Sequence, residues 1–291
     1  MMIVVTGATG NVGRPLIDLL LTGGARVRAV SRDPKAAALP AGVAVVGGDP
    51  SRPDTLAGAF DGADAVYLNP RTVGRHAAEF LALAGRQGVR RVVVQAAINV
   101  DDDVTRQPSR YLGDFNREAE RAAVASGLEW VSLRPTVFAV NSAVRWAGQI
   151  VAGDTVRGPN ATATSAPVHE RDVAAVAARA LLSDDLLGRR PELTGPESLT
   201  DAQLVATIGD VIGRRLRYAE LPVAAARQAM VAGGVSEDFV DALLAMQATT
   251  LGTPAVVTGE VPAILGRPAL TFARWAADHA SRFTAARPAV A

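Results

Sequence analysis

The residues of this chain that could do chemistry begin at position 6. Thr6-Gly7-Ala8-Thr9-Gly10-Asn11-Val12-Gly13 follows an apolar run and precedes a helical pattern. In that setting Gly7 permits a tight turn, Gly10 lets backbone approach a pyrophosphate, and Gly13 lets a helix close on a strand. The helix presents free N–H groups and its positive dipole end to phosphate, with Thr9, Asn11 and Val12 in the loop that would touch it. Three glycines at this spacing also suit an ordinary strand-to-helix turn, but the strand before and the helix after favour a dinucleotide site. The second apolar run ends in Ser31-Arg32-Asp33. An acidic residue there would hold ribose hydroxyls; Ser31 and Arg32 stand in its place, Lys35 is near, and a guanidinium suits a 2′-phosphate. The cofactor expected is therefore NADP(H) in preference to NAD(H). Asp33 counts against this, and the plain alternative is a surface arginine. Other strand ends are expected to line the same crevice. Asp49 is placed to bond the adenine amino group or to cap the next helix. Asn69 and Pro70 would border the nicotinamide ribose, and Ala96 ends the fifth run.

Proton-transfer candidates are few. His169 has the side chain best suited to proton exchange near neutrality, although a backbone-bonded histidine where a helix begins is the favoured reading of it. Tyr67 and Tyr111 are the other two, with Tyr67 at the end of a buried strand. Phe138, Asn141 and Trp146, with His169 and Arg71, are expected to line the substrate pocket; aromatic walls with one amide suit a flat, apolar small molecule. Trp146 also fits plain packing between lobes. The chain has no cysteine, which excludes disulfides, thiol nucleophiles and thiolate metal sites. His76 and His279 lack spaced partners, so no metal is expected. Asp101, Asp102 and Asp103 read as a solvated loop.

These groups need elements to hold them. Short β-branched runs at 3–5, 27–30, 43–46, 65–68, 92–94 and 130–133 alternate with helical patterns such as 15–21, 75–87 and 116–126. That rhythm predicts βαβ units: an α/β, doubly wound parallel sheet of the Rossmann type. Beyond Arg134-Pro135 helices dominate, at 139–151, 172–182, 200–212, 222–232 and 237–247, with short strands at 192–194 and 217–220. The expected division is a dinucleotide-binding domain over 1–137 and a smaller, mostly helical substrate lobe over 138–291. Segments near 166–197 return to the sheet, and the alanine-rich tail 284–291 is expected to fray. The 291 residues are 49% hydrophobic and 20% charged, with 30 basic against 29 acidic side chains and a net charge of +1. This is globular composition without the basic excess that nucleic acid demands. No apolar run approaches the ~20 residues needed to span a bilayer, so a cytoplasmic protein without membrane contact is expected. Helices 75–87 and 116–126 are apolar enough to form a homodimer face or simply to cover the sheet.

Taken together, the motifs resemble the NmrA-like group of atypical short-chain dehydrogenases/reductases. The matching stretches are TGATGNVG, SRDP, GDPSRPDTL, ASGLEWVSLRPTVFAVN at 125–141, APVHERDVAAVAARAL at 166–181 and LTGPESLT at 193–200. The resemblance spans nearly the whole chain. It implies a Rossmann-type domain with NADP(H) and a pocket beneath a smaller C-terminal lobe. It leaves two activities open, because the group holds reductases of quinones and other conjugated compounds as well as cofactor-sensing regulators. Typical members of the superfamily use a Tyr-x-x-x-Lys pair, in which the lysine lowers the tyrosine pKa for proton transfer. Here Tyr111 is followed four residues later by Phe115, and the only lysine is Lys35. Asn116 stands where the group often carries a histidine, and Gln95-Ala96-Ala97 occupies the serine position. Two functions follow. The first is an NADPH-dependent oxidoreductase that passes hydride to a small, flat, largely apolar acceptor without the usual dyad. The alternative is a non-catalytic NADP(H)-sensing regulator with a protein partner.

Overall fold

The structure, a computed structural model, describes residues 1–56 and 58–284. The tail expected to fray lies, beyond Thr284, outside the described residues. The first half runs β1 (Met2–Val5), α1 (Gly13–Thr22), β2 (Arg26–Ser31), β3 (Ala44–Gly47), β4 (Ala65–Leu68), α2 (Pro70–Val73), α3 (Ala77–Arg86), β5 (Arg91–Gln95), α4 (Asn116–Ala125) and β6 (Glu129–Pro135). The second runs α5 (Asn141–Ala152), β7 (Thr155–Gly158), β8 (Thr164–Ser165), α6 (Glu170–Leu182), β9 (Glu192–Leu193), β10 (Leu199–Thr200), α7 (Asp201–Ile212), β11 (Arg217–Glu220), α8 (Val223–Ala232), α9 (Glu237–Ala248), α10 (Glu260–Leu265) and α11 (Phe272–Asp278).

Seven strands form one parallel sheet in the order β3-β2-β1-β4-β5-β6-β9. The strands are apolar throughout because helices cover both faces; all four residues of β4 are buried. Alternation along β1 sorts its side chains between two cores. Ile3 and Val5 pack with Leu16 and Ile17 of α1 and Val173 and Ala177 of α6. Val4 packs instead with Val66, Leu68, Phe80 and Ala119 under α3 and α4. The alanines of α6 let it lie close beside α1. Sheet order reverses direction between β1 and β4, and a crevice for ligand opens at the carboxyl ends there.

The helical half has its own core of Trp146, Ile150, Val156, Leu204, Ile208, Phe272 and Trp275. A small parallel pair, β7 with β11, borders it. α9 lies on two short 3₁₀ turns, Val104–Arg106 and Pro108–Leu112, which bridge β5 to α4. Helix α5 starts two residues later than its pattern predicts, because Ala139 is still bonded to Val168 and Phe138 forms a bridge to it. The sequence pattern missed α2, β7, β8, β10, α10 and α11, none longer than the seven residues of α11. Among the described residues no helix is long and apolar enough to cross a membrane.

One buried carboxylate ties the last third of the chain to the sheet layer. Asp172, fully buried on α6, accepts the Leu270 N–H at 2.7 Å and pairs with Arg267 at 2.7 Å. Removing it strands that amide, since a hydrogen bond to a charged group contributes about 2 kcal/mol. Asp172→Ala should therefore lower the unfolding free energy in urea by about that amount. Arg267→Ala leaves that buried carboxylate without its cation, so it should also destabilise the protein; wild-type stability in either variant would contradict this account.

Candidate functional site

The glycine loop is closed by its own backbone. Gly7 sits at a φ of +65°, a conformation that glycine adopts without strain, and its carbonyl accepts the Gly10 N–H at 2.9 Å. A Cβ on Gly13 would overlap that carbonyl and come within 2.8 Å of the Ala8 Cα. A Cβ on Gly10 would meet the same oxygen at 3.1 Å. Thr6 anchors the loop to the neighbouring strand: its hydroxyl donates to the Tyr67 carbonyl at 3.1 Å and accepts the Asn69 N–H at 2.8 Å. Thr9, Gly10 and Asn11 are exposed above α1. Val12 caps that helix without a side-chain bond, and no backbone carbonyl among the described residues receives the Asn11 or Val12 N–H. Uncapped donors at a helix start, with the side chains cleared from the approach, fit a dinucleotide's pyrophosphate.

At the end of β2 the charges divide. Asp33, which the sequence left as a competitor for ribose, turns its carboxylate into its own loop and accepts the Lys35 and Ala36 N–H groups at 3.1 and 3.2 Å. The Ser31 hydroxyl donates to the Asp33 carbonyl. Arg32 and Lys35 are exposed, and neither side chain has a partner among the described residues. Arg14 holds this loop against the glycine loop by donating to the Thr9, Ala37 and Ala38 carbonyls at 3.2, 3.2 and 3.0 Å. Two of those carbonyls lie more than twenty positions from Arg14, and only the fold brings the three together. Asp49 serves the turn that follows it. Its Oδ1 accepts the Ser51 hydroxyl and amide at 2.8 and 3.0 Å, and the hydroxyl bond leads the effects that hold its carboxyl below the usual range.

Across β1 lie the other strand ends. The Asn69 side chain caps α2 by accepting the Arg71 N–H and backs onto Gly7, where a Cβ would reach its Nδ2 at 3.0 Å. Pro70 is buried at the first turn of that helix. Ala96 is buried and donates its N–H to the Leu133 carbonyl at 2.7 Å. Arg71 forms a two-point bridge to Asp114, both contacts at 2.7 Å, between the β4 and β5 loops. Its partner lies 43 positions away, which no local pattern reveals.

The proton-transfer candidates do not gather in one place. Tyr67 is fully buried, its hydroxyl donating to Gln95 Oε1 at 2.7 Å, and burial pushes that hydroxyl far above its ordinary range. His169 is 1% exposed; its Nδ1 accepts the Arg171 N–H at 3.2 Å and so caps α6. Its Nε2 lies 3.5 Å from Asp278. Tyr111 alone of the three is open, at 38% exposure, at the end of a 3₁₀ turn. Phe138 is half-buried and Asn141 exposed where α5 begins. Trp146 does not line a pocket: it is 2% exposed, edge-on to Tyr218 and covered by the Arg145 guanidinium. Its helical spacing turns it into the C-terminal lobe's own core. Two clefts, of about 420 and 310 Å³, lie away from the crevice, at the β9 edge beside Arg189 and Glu260 and beside α3. No group of three metal-ligating side chains forms among the described residues.

Fold and loop together define a Rossmann-type dinucleotide-binding protein. Residues 7–184 match the NAD(P)H-binding family, and the chain belongs to it, as an atypical short-chain dehydrogenase/reductase. It is 36% identical over 287 residues to (4-alkanoyl-5-oxo-2,5-dihydrofuran-3-yl)methyl phosphate reductase of Streptomyces griseus, covering 97% of this chain and 99% of that one. It is 32% identical over 299 residues to NAD(P)H azoreductase of Xenophilus azovorans, covering 98% and 100%. It also superposes on the NADPH complex of an NADPH-dependent quinone oxidoreductase from Escherichia coli, with a TM-score of 0.80, 25% identity and coverage of 96% and 99%.

Gly13→Val should abolish NADPH binding and lower the melting temperature together, because the new side chain collides with backbone. Gly10→Ala has only one close contact to relieve, so it should weaken NADPH binding about tenfold or more while the melting temperature stays near wild type. Fluorescence titration beside thermal unfolding separates the two. Tyr67→Phe should keep turnover, whereas loss of a general acid costs about 100-fold or more.

Proposed function

We propose that this protein is an NADPH-dependent reductase of small, flat, largely apolar acceptors such as quinones, enones and related conjugated carbonyls, working without a Tyr-Lys dyad. The observation that carries the cofactor half is the end of β2, where Arg32 is unpaired while Asp33 is spent on its own loop. A free guanidinium beside a withdrawn carboxylate favours a 2′-phosphate over a bare ribose. The relatives support the chemical half: the Streptomyces, Xenophilus and Escherichia proteins are a reductase, an azoreductase and a quinone oxidoreductase.

Bound NADPH would supply two electrons and a proton to the acceptor as hydride, leaving NADP⁺, with the second proton drawn from water. The protein's part is to bind and to orient. The Asn11 and Val12 amides and the α1 dipole hold the pyrophosphate, and Arg32 with Lys35 meets the 2′-phosphate. Asn69 and Pro70 border the nicotinamide ribose. Phe138 and Asn141, following β6, face the acceptor. Helix α4 offers no acid at its sheet-facing positions. Asn116 donates to the Ser109 hydroxyl. Glu120 is buried against Arg134 and Ser132, and although burial raises its pKa, bonds to those two partners lead the effects that bring it below the usual range. A carboxylate so held cannot protonate an acceptor at neutral pH.

Acceptors whose reduced form tolerates negative charge should therefore outperform isolated ketones. The expected advantage in kcat/KM is about 100-fold, the contribution a missing general acid would make. The test titrates NADPH and NADH into the protein by nicotinamide fluorescence, then adds quinones, enones and simple ketones. NADPH should bind more tightly, and Arg32→Ala should lose about 10- to 100-fold of that preference, as expected for charge-assisted hydrogen bonds. Tight binding with no oxidation by any acceptor would favour a cofactor-sensing regulator. Failure to bind either cofactor would sink the proposal.

A further inference from the structure

Beyond β4 and β5, on the other side of β1 from Arg32, stands a guanidinium with no ion pair of its own, although Glu118 is near enough to feel its charge. Three arginines cluster beyond β4 and β5, and two are neutralised. Arg71 takes both carboxylate oxygens of Asp114, and Arg110 takes both of Glu118, at 2.7 and 2.9 Å. Arg75 is exposed and has no hydrogen bond or ion pair among the described residues; its guanidinium lies 4.3 Å from the centroid of the Phe115 ring. Arg110 approaches the same ring at 5.2 Å. Two left-handed glycines bring the partners together: Gly74, at a φ of +55°, just before Arg75, and Gly113, at +92°, two residues before Phe115.

Stacking on a ring fixes the plane of a guanidinium and leaves its edge N–H groups free. Those edges match the paired oxygens of a carboxylate, sulfonate or phosphate. The site's position decides which molecule brings them. One dinucleotide lies across the switch point, with its adenosine phosphate over β2 at Arg32. Its nicotinamide then falls on the β4 side, where Arg75 stands. The 2′-phosphate cannot be at both ends, so the anion that meets Arg75 belongs to the acceptor.

We propose that Arg75, stacked on Phe115, is an anion contact of the acceptor site, so that the protein prefers flat acceptors bearing a carboxylate, sulfonate or phosphate. This rests on the reductase reading and narrows its substrate class.

The test compares 1,4-naphthoquinone with 1,4-naphthoquinone-2-sulfonate as acceptors. In parallel, calorimetry measures binding of 2-naphthol and naphthalene-2-sulfonate to the NADP⁺-loaded protein. Arg75→Gln should raise the ratio of sulfonate KM to neutral KM about tenfold, the scale of one charge-assisted hydrogen bond. It should weaken naphthalene-2-sulfonate binding by a similar factor relative to 2-naphthol. Arg106→Gln, an exposed arginine of the β5–α4 segment that carries Phe115 but without a ring beneath it, should leave both ratios unchanged. Both quinones reduced with a KM ratio that ignores Arg75 would overturn this inference and leave the reductase reading standing. If neither quinone is reduced, the calorimetry still decides the anion site: sulfonate binding that depends on Arg75 upholds it, and binding that does not removes it.

Discussion

Everything at the ligand end of this molecule depends on how closely the start of α1 approaches the end of β1. The approach is set by one missing side chain, since a Cβ at Gly13 would occupy the space of the Gly7 carbonyl. With that atom absent, the carbonyl can accept the Gly10 N–H and turn the chain within a few residues. The helix start then faces the crevice with its amides unspent. Thr6 fixes the loop to β4, and Arg14 fixes it to the segment after β2. One steric constraint thus sets the relative positions of the helix-start amides, the Arg32 guanidinium at the end of β2 and the β4 strand end. Backbone and short side chains do the work, which makes the site stiff before any ligand arrives.

Around that stiff centre most charge is used up internally. Asp33 and Asp49 cap their own turns, Asp114 holds Arg71, Glu118 holds Arg110, and Glu120 holds Arg134. Each pairing removes an acid or a cation that a ligand would otherwise meet. Arg32 and Arg75 stand on opposite sides of β1 without such partners.

The sheet and most helices were legible in the sequence because their periods are long and their strands β-branched. The doubly wound parallel sheet followed from alternating elements and from Gly7, Gly10 and Gly13, all local signals, whereas the strand order is seen only in the fold. The candidate site was legible only where function sits in consecutive residues. Arg32 could be placed at a strand end by counting, but the withdrawal of Asp33 is a matter of side-chain direction. Trp146 misled because a helix of period 3.6 has an apolar stripe whether that stripe faces a ligand or another helix. For His169 the sequence offered a proton donor or a backbone-bonded histidine at a helix start, and its ring accepts the Arg171 N–H on the first turn of α6. The Arg71–Asp114 and Arg75–Phe115 contacts join positions about forty residues apart, a separation at which sequence spacing carries no geometry.

The absence of a Tyr-Lys pair is therefore a property of the packing as well as of the sequence. On α4 the positions that face the sheet are Asn116, Ala119, Glu120 and Ala123, and Glu120 is buried where it bonds Ser132 and Arg134 of β6. An acid–base pair inserted on this face would have to displace that buried ion pair. Removing one partner of such a pair costs several kcal/mol, on the order of 3–5. The fold has committed the helix to holding β6 in place.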